Sequence, residues 1–442
     1  MAFSKKSGQY LRGAAPSSLN EQLLKIWSIS MIKQIVLATA LTAFSISMAF
    51  AQDLRMTVWT GSDAHLGMLN DIADEFESTH PGVTVNFETI PFSDYVRGLT
   101  LQLAGGNPPD LGWLLESSAP IFVDAGVLLD VSDKLRNDAA YNFSDLSQSA
   151  MTLWQSSDAI YGIPFSTSPY LTYYNASMFS SAGIATPNQM VKEGSWTWEA
   201  LRIAAKKLSD PANGVYGFQS PDGLGYDSRI MHTLIPIVRS YGGEAWVNGK
   251  CGFDSPEAIQ AITLYHQMIF DDKSTVPPGE QANFFTGGAA MTINQISRVS
   301  NLDEANFEWG LAPLPSGPSG ESPTIGQAAI VAFARGQNTE LAAEFLKYMT
   351  DTKNSATMAQ FFPTARKSVL EGDAFLNSNS AFSAEQMQIV AAAISKGGVL
   401  PSHPAYPQIE AAMRPRFDAL WQADAVIPSV MASVCRAIQP LL

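Results

Sequence analysis

The sequence predicts an α/β protein of two doubly wound lobes, with a hinge, a cleft between the lobes and a helical C-terminal tail. Three observations lead to this prediction. Strand and helix patterns alternate over residues 54–116, the alternation resumes over 328–349 after a long insertion, and residues 383–442 form helical patterns broken by proline. Short connections between alternating strands and helices favour a parallel sheet that is covered on both faces.

The first lobe begins with three predicted strands and the two helices between them. The first helix carries an apolar stripe from Leu66 to Phe76, and the second carries Leu99 and Leu103 before GGNPPD ends it. The strands are apolar or alternating runs bounded by turn residues. They are LRMTVWT at 54–60, VTVNFETI at 83–90 and DLGWLLE at 110–116. This order predicts a parallel sheet.

The middle of the chain, roughly residues 170–300, is richer in helices and loops. It contains the amphipathic helix SPEAIQAITLYHQMIF and the short apolar strand AAMTINQ. A connector rich in proline, glycine and serine follows at 307–323. The strand AAIVAFA and the helix NTELAAEFLKYM then continue the pattern of the first lobe. We therefore predict that the middle segment builds a second lobe inserted into the first.

Residues 31–51 have the three parts of an export signal peptide. Lys33 supplies positive charge, an apolar run follows, and a small-x-small pattern at 49–51 provides a cleavage site before Gln52. A buried helix or a membrane anchor is the alternative, but the apolar run is shorter than the roughly 20 residues that span a bilayer. The pattern therefore predicts export to the periplasm.

We expect residues 1–51 to be removed as a leader, with translation starting at Met31. The residue after the predicted cut is Gln52 and not cysteine, which excludes a lipid anchor at that position. Loss of residues 1–51 takes away five basic residues and one acidic residue, so the net charge changes from −14 to −18. Such a surface repels nucleic acid and anionic lipid, and it does not specify a ligand.

Two cysteines, Cys251 and Cys435, remain in the mature chain. In an oxidising periplasm an even pair favours a disulfide. Two free thiols are the alternative, because the separation of two cysteines in the sequence says nothing about the distance between their Cα atoms.

Motifs of common enzyme classes are absent from the sequence. It contains no G-x-S-x-G, no H-E-x-x-H and no G-x-x-x-x-G-K-[ST], and its five histidines lack the spacing of metal ligands. Tyr173 and Tyr174 could bind ferric iron as phenolates, but a strand with one ring buried and one exposed is the simpler interpretation. These motifs give no support to an enzyme, although a hydrolase is not excluded, and no cofactor is predicted.

Aromatic and polar side chains follow the predicted strands. In open α/β sheets, ligands bind outside the carboxyl ends of the strands. A sugar ring suits such a site because it presents an apolar face to aromatic rings and hydroxyl groups to polar side chains. The aromatic residues near strand ends or loops are Trp59, Trp113, Phe165, Trp246 and Trp309, and the polar residues near them are Asp63, Glu116, Ser166, Asn294 and Gln327.

Five stretches, taken in order, resemble the extracellular solute-binding proteins of bacterial ABC importers, in the large family that binds sugars. These stretches are VWTGSDAHLGMLNDIADEFESTHPGVTV, LAGGNPPDL, YGIPFSTSPYLTYYNASMFSSAGI with WTWEALRIAAKKL, FFTGGAAMTINQ, and AAEFLKYMT with FFPTAR. The resemblance covers residues 52–442. In one respect the chain departs from the family, since members often carry an acidic residue after Tyr-Gly-x-Pro, where this chain has Ser166, Thr167 and Ser168.

The resemblance implies a two-lobed periplasmic binding protein of type II that closes around its ligand. One lobe would comprise 52–167 and 311–352, and the other 168–310 and 353–442, with crossings near 166–170, 308–314 and 350–355. By position in the family motifs, the cleft would be lined by Trp59, Thr60, Ser62, Asp63, Trp113, Glu116, Phe165, Ser166, Thr167, Trp246, Asn294, Gln327 and Pro363.

The function implied by the resemblance is that of a monomeric receptor that captures a sugar or sugar oligomer and delivers it to a membrane permease. A polyol or a glycerol phosphate is the alternative ligand, and a phosphorylated ligand would need Arg229, Arg298 or Arg366 in the cleft. The sequence also leaves open a periplasmic carbohydrate-active enzyme and a receptor used for chemosensing. Neither catalytic residues nor metal ligands are predicted.

Overall fold

The computed structural model describes residues 52–220, 226–277, 279–280, 282–302 and 305–442, and the predicted leader lies outside them. Within these ranges no helix is long and apolar enough to cross a bilayer. The strands are β1 (Gln52–Val58), β2 (Val83–Thr89), β3 (Leu111–Leu115), β4 (Gln155–Ser156), β5 (Ala159–Ile160), β6 (Ile163–Pro169), β7 (Leu171–Asn175), β8 (Tyr216–Gln219), β9 (Trp246–Val247), β10 (Lys250–Cys251), β11 (Ala289–Asn294), β12 (Trp309–Ala312), β13 (Thr324–Ala332) and β14 (Gly398–Val399).

Helices cover both sheets and form the C-terminal tail. They are α1 (Asp63–Thr79), α2 (Tyr95–Ala104), α3 (Ala119–Asp124), α4 (Ser132–Arg136), α5 (Gln148–Met151), α6 (Ala176–Ala182), α7 (Pro187–Lys192), α8 (Trp198–Leu208), α9 (Tyr226–Ser240), α10 (Pro256–Phe270), α11 (Thr339–Met349), α12 (Thr352–Met358), α13 (Lys367–Leu370), α14 (Asp373–Leu376), α15 (Ala384–Lys396), α16 (Tyr406–Phe417) and α17 (Ile427–Ile438). Short 3-10 helices include Phe92–Asp94 and Ile296–Leu302.

The first sheet contains the predicted parallel strands. Its order is β14-β13-β3-β1-β2, with β6 paired to β13. β1 runs parallel to both β2 and β3, as the alternation of strands and helices predicted. β13, however, is antiparallel to β3 and β6. The alternation of strands and helices predicts parallel pairing only for strands joined by a crossover connection. The chain reaches β13 from the second sheet through residues 313–323, so this rule does not determine its direction.

The second sheet has the order β12-β7-β11-β8. β7 is antiparallel to both of its neighbours, whereas β11 and β8 are parallel. Both Tyr173 and Tyr174 on β7 are buried, so the prediction that one of these rings is exposed is wrong. The reason is that β7 lies inside the sheet and apolar clusters cover both of its faces, with Tyr174 in one cluster and Tyr173 in another.

Separate apolar cores accompany the two sheets. The first core collects buried residues from Leu54 to Phe165 and from Ala328 to Ala365. The second collects residues from Tyr170 to Leu314 and from Leu400 to Ile438. β6 belongs to the first sheet and β7, which begins two residues later, to the second. The chain therefore leaves one layered body and enters another at Tyr170, and it returns between β12 and β13.

The C-terminal tail is helical, as predicted, but its prolines act differently from the prediction. Pro415 lies inside α16 and does not interrupt it before Phe417. Pro428 stands in the first turn of α17, where a missing backbone N–H costs little. Cys251 on β10 and Cys435 on α17 form a disulfide with a Cα–Cα distance of 5.4 Å. The bond ties the last long helix to a hairpin from the middle of the chain.

Candidate functional site

A cavity of about 390 Å³ lies where loops of the two sheets meet. From the first sheet, the segment after β1 contributes residues 59–62, and the end of β3 contributes Leu115 and the following Glu116. From the second sheet, the segment after β11 contributes Gln295, Ser297, Arg298 and Asn301. β6 and β13 also contribute to its wall. The cavity thus lies beyond the carboxyl ends of β1, β3 and β11, the position that sequence reasoning selected.

Aromatic rings form one wall of the cavity. Trp59 meets Trp113 at a centroid distance of 5.0 Å, and Trp113 stacks on Phe165 at 4.7 Å. Phe165 in turn meets Phe362 at 5.4 Å. Trp113 is fully buried, whereas Trp59 is only partly buried. Trp59 is therefore the more accessible ring. Trp113 packs against Trp59, and Phe165 packs against Trp113.

His65 and Thr60 form a buried polar pair at the start of α1. The Thr60 Oγ1 atom lies 2.9 Å from His65 Nδ1 and accepts the Ser62 backbone N–H at 3.2 Å. The Nε2 atom of His65 has no hydrogen-bond partner among the described residues. Burial, reinforced by the positive charge of Arg298, lowers the pKa of His65 to about 4. The imidazole is therefore neutral at pH 7.

Glu116 is a buried carboxyl group in the cavity wall. Its Oε2 accepts the backbone N–H of Gln327 at 2.9 Å, and its own N–H donates to the Gln327 carbonyl at 3.1 Å. The Gln327 side chain accepts the Nε1–H of Trp154 at 2.8 Å. Burial raises the pKa of Glu116 to about 7, although hydrogen bonds to the carboxylate oppose the shift. Around neutral pH this carboxyl group can either donate or accept a hydrogen bond.

Many of the residues predicted from sequence line this cavity. They are Trp59, Thr60, Ser62, Trp113, Glu116, Phe165, Ser166 and Gln327. Gln295, at the predicted strand end 293–295, and Phe362, in the turn 361–364 that the family motifs place in the cleft, also line it. Sequence reasoning missed His65, Phe92, Tyr170, His232, Ser297 and Asn301, and it named Arg298 only for a phosphorylated ligand. The group at 297–301 follows the strand predicted at 289–295, so the rule about strand ends could have found it.

Asp63, Thr167 and Asn294 lie outside the cavity lining. The side chain of Asp63 is exposed at the first turn of α1. Thr167 faces the opposite side of β6 from Ser166, because successive side chains of a strand alternate, and it lines a separate cavity of about 450 Å³. Asn294 donates its Nδ2–H to Thr292 Oγ1 within the second sheet.

Trp246 and Pro363 also lie outside the lining. Trp246 on β9 packs edge-to-face on His403 and Tyr406, at centroid distances of 6.5 and 6.3 Å. The Pro363 carbonyl accepts the backbone N–H of Thr167. In the ranges that the structure describes, no three His, Cys, Asp or Glu side chains are grouped to hold a metal ion.

The two layered bodies and the cavity between them define the class of a two-lobed solute-binding protein. A family model described as bacterial extracellular solute-binding protein matches residues 67–356, and the chain belongs to this family. A binding protein of Brucella abortus (strain 2308) is 26% identical over 374 residues, which cover 80% of this chain and 85% of the relative. The maltotriose-binding protein of Pyrococcus abyssi is 22% identical over 306 residues, or 67% of this chain and 62% of that protein.

Solved structures share the whole two-lobed fold. An ABC substrate-binding protein from Listeria monocytogenes in complex with cycloalternan matches with a TM-score of 0.77 and 22% identity, over 88% of this chain and 99% of that one. A maltose-bound protein of T. maritima matches with a TM-score of 0.76 and 20% identity, over 89% of this chain and 100% of that one. This chain therefore has the predicted type II fold, with a hinge and an interlobe cleft.

Proposed function

We propose that the chain is the receptor subunit of an ABC importer, which captures a sugar or sugar oligomer in the cleft and delivers it to a membrane permease. The observation that carries this proposal is the cavity between the two sheets, with the accessible ring of Trp59 on one side and the polar groups of Glu116 and Asn301 in its wall. An aromatic face and convergent hydrogen-bonding groups suit a polyhydroxyl ring. The receptor performs no chemistry of its own.

The lobes in this proposal are 52–167 with 311–352 and 168–310 with 353–442. Met358, Phe362 and Ala365 contribute to the first core, however, which favours a third crossing beyond Ala365 over one near 350–355. The change of sheet at Tyr170 and the return between β12 and β13 support the first two crossings. The ligand-binding residues would be Trp59, Thr60, Ser62, Trp113, Glu116, Phe165, Ser166 and Gln327. A ligand that touches both lobes favours the closed form because it binds that form more tightly. The closed form would then dock on the permease.

The receptor would act as a monomer in the periplasm after its leader is cleaved within residues 31–51. The Cys251–Cys435 disulfide supports this location, since such bonds persist in oxidising compartments. A polyol is the second ligand class. It is supported by the mannitol-binding protein of Pseudomonas aeruginosa, which is 24% identical over 239 residues, 53% of this chain and 52% of that protein.

Thermal unfolding of residues 52–442 with a panel of mono- and oligosaccharides and polyols tests the proposal. A ligand at about 100 times its dissociation constant is expected to stabilise the protein by roughly 2.7 kcal/mol, a shift in Tm of roughly 3 °C. Trp59→Ala is expected to weaken that ligand's binding. Trp246→Ala is the matched control, because it removes a tryptophan outside the cavity and leaves the affinity unchanged. Absence of a shift with every sugar and polyol would contradict the proposal.

A further inference from the structure

A second cavity, of about 450 Å³, lies on the face of β6 and β13 that is opposite the interlobe cleft. Gly326 and Ala328 of β13 line the cleft, whereas Ile325 lines this rear cavity, because successive side chains of a strand point to opposite faces. Thr167 and Gln327 are paired across the two strands and both line the rear cavity. A space of this volume can hold a small molecule.

The walls of the rear cavity are largely apolar. Ala150 and Ala365, which belong to the first core, form one part of the lining. Ala391 and Ile394 of α15 form another part, and they pack against the apolar cluster that contains Tyr173 of β7. A ligand's apolar surface would leave water when it enters between these side chains, which favours binding. The cavity therefore suits a ligand with an apolar body.

Gln327 brings a hydrogen-bond donor to this apolar space. The residue is 2% exposed, and its Oε1 accepts the Nε1–H of Trp154 at 2.8 Å. The Trp154 Nε1–H group can only donate, so the amide oxygen of Gln327 faces it and the NH2 group is turned away. Within the part of the chain that the structure describes, Nε2 of Gln327 donates to no acceptor, and it is not enclosed by protein atoms. An acceptor atom of a ligand would complete this donor.

The charges at the rear cavity balance each other. Lys367 and Glu371 of α13 both line the cavity, and both side chains are exposed. Among the described residues the lining contains no other charged side chain. One positive and one negative group give no preference for an anion or a cation, and a charged ligand would lose its hydration among the apolar walls. The cavity therefore favours a neutral ligand.

We propose that the rear cavity is a second binding site, which takes a small neutral molecule with an apolar ring or chain and a carbonyl oxygen. The carbonyl oxygen accepts a hydrogen bond from Gln327 Nε2, and the apolar body lies against Ala391 and Ile394. This class of ligand differs from the polyhydroxyl compounds of the cleft, because most of the wall offers no hydrogen bonds. The site stands independently of the proposed receptor function.

Three naphthalenes of similar size test the inference with the purified protein. They are 2-acetylnaphthalene, which carries a carbonyl group, 2-ethylnaphthalene, which lacks it, and 2-naphthoate, which replaces the ketone by a carboxylate. Ligand-observed NMR titration measures the three dissociation constants. We expect saturable binding at one site, with the ketone bound about 3- to 10-fold more tightly than the hydrocarbon, since one hydrogen bond separates them. The carboxylate should bind more weakly than the ketone.

Gln327→Met tests the hydrogen bond. Methionine keeps a side chain of similar length but has no donor, so the ketone and the hydrocarbon should bind with equal affinity. Binding of the hydrocarbon is the internal control, because its persistence shows that the cavity of the variant is intact. A preference for the ketone that is the same in Gln327→Met and in the wild type would overturn the assignment of the donor.

Ala391→Phe tests the location. The larger side chain fills part of the rear cavity, and we expect it to weaken binding of both the ketone and the hydrocarbon at least about 10-fold. Ala392→Phe is the matched control, because it makes the same replacement one position along α15, at an exposed residue outside the rear cavity lining. Its affinity for the ketone should equal that of the wild type.

The remaining outcomes also decide the inference. Unchanged binding in Ala391→Phe, or loss of binding in Trp59→Ala, would place the naphthalenes outside the rear cavity and overturn the site. Tighter binding of 2-naphthoate than of the ketone would overturn the neutral ligand class, and absence of binding by all three compounds would overturn the proposal as a whole. None of these results bears on sugar binding in the cleft, which the thermal unfolding panel tests separately.

Discussion

Replacing Glu116 with glutamine is expected to stabilise the protein at pH 8 by about 3 kcal/mol, since each unit of pKa shift corresponds to about 1.4 kcal/mol. Burial raises the pKa of Glu116 from 4.5 to about 7 in the folded state. Between these values the folded protein holds a proton that the unfolded chain has lost, so stability falls as the pH rises. Below pH 4.5 both states are protonated, and the variant and the wild type should be alike.

His65 contributes the opposite dependence on pH. Its pKa is about 4 in the folded state and 6.5 in the unfolded chain, so its contribution is complete above pH 6.5 and is lost as the pH falls toward 4. Between about pH 4.5 and 6.5 Glu116 lowers the free energy of unfolding as the pH rises and His65 raises it, so the two pH dependences cancel. Removing Glu116 should therefore expose a rise in stability with pH over this range.

Urea unfolding of wild type and Glu116→Gln at several pH values measures the difference. Glu193→Gln is the control, because it makes the same replacement at an exposed position outside the cavity. A constant difference between Glu116→Gln and wild type from pH 4 to 8 would contradict the buried, proton-retaining carboxyl group. All other titratable groups are the same in the two proteins, so the difference between their free energies of unfolding reports on Glu116.

Replacing Arg366 with methionine is expected to destabilise the protein by about 3–5 kcal/mol, the usual cost of breaking a buried charge network. Arg366 is fully buried. It donates to the carbonyls of Thr350, Tyr141 and Asn142 at 2.8, 3.0 and 3.3 Å, and to the Asp145 carboxylate at 3.4 Å. Its guanidinium also lies 4.5 Å from the ring centroid of Tyr141. Methionine fills part of the volume but leaves these acceptors without a donor.

Arg366→Lys separates charge from geometry. A lysine keeps the positive charge but cannot donate to carbonyls on several sides, so most of the loss should remain. Arg436→Met, at an exposed position, should change the free energy of unfolding by less than about 0.5 kcal/mol. A loss below about 1 kcal/mol in Arg366→Met would contradict the network. If Arg366→Met does not fold, Asp145→Asn, which removes the charged partner, should still lower the urea midpoint.

The first sheet could be predicted from sequence because its apolar patterns are local. The strands that became β1, β2 and β3 alternate with helices over short connections, and this order alone indicates parallel pairing. The direction of β13 could not be predicted this way. The apolar run of β13 predicts a buried strand. Its antiparallel pairing with β3 and β6, however, depends on the path of the chain through the whole fold.

The sequence predicted that the site lies at the ends of particular strands, but it could not predict which side chains there line the cavity. Trp59, Trp113 and Trp246 are equally suited to a sugar by composition, yet one is accessible, one is buried behind it and one packs elsewhere. Thr167 and Ser166 are neighbours on opposite faces of β6, and the face depends on the pairing register. His65 and Arg298 are 233 positions apart in the sequence, yet both line the cavity, and this placement depends on tertiary structure.

The second core has a consequence for the order in which the protein can form during synthesis. Its apolar residues come from the middle of the chain and from residues 400–438, and the partner of Cys251 is Cys435, 184 positions later. When the middle segment leaves the ribosome, the helices that close this core and the second thiol have not yet been made. We therefore expect the second lobe to stay open until residues 400–438 have been synthesised.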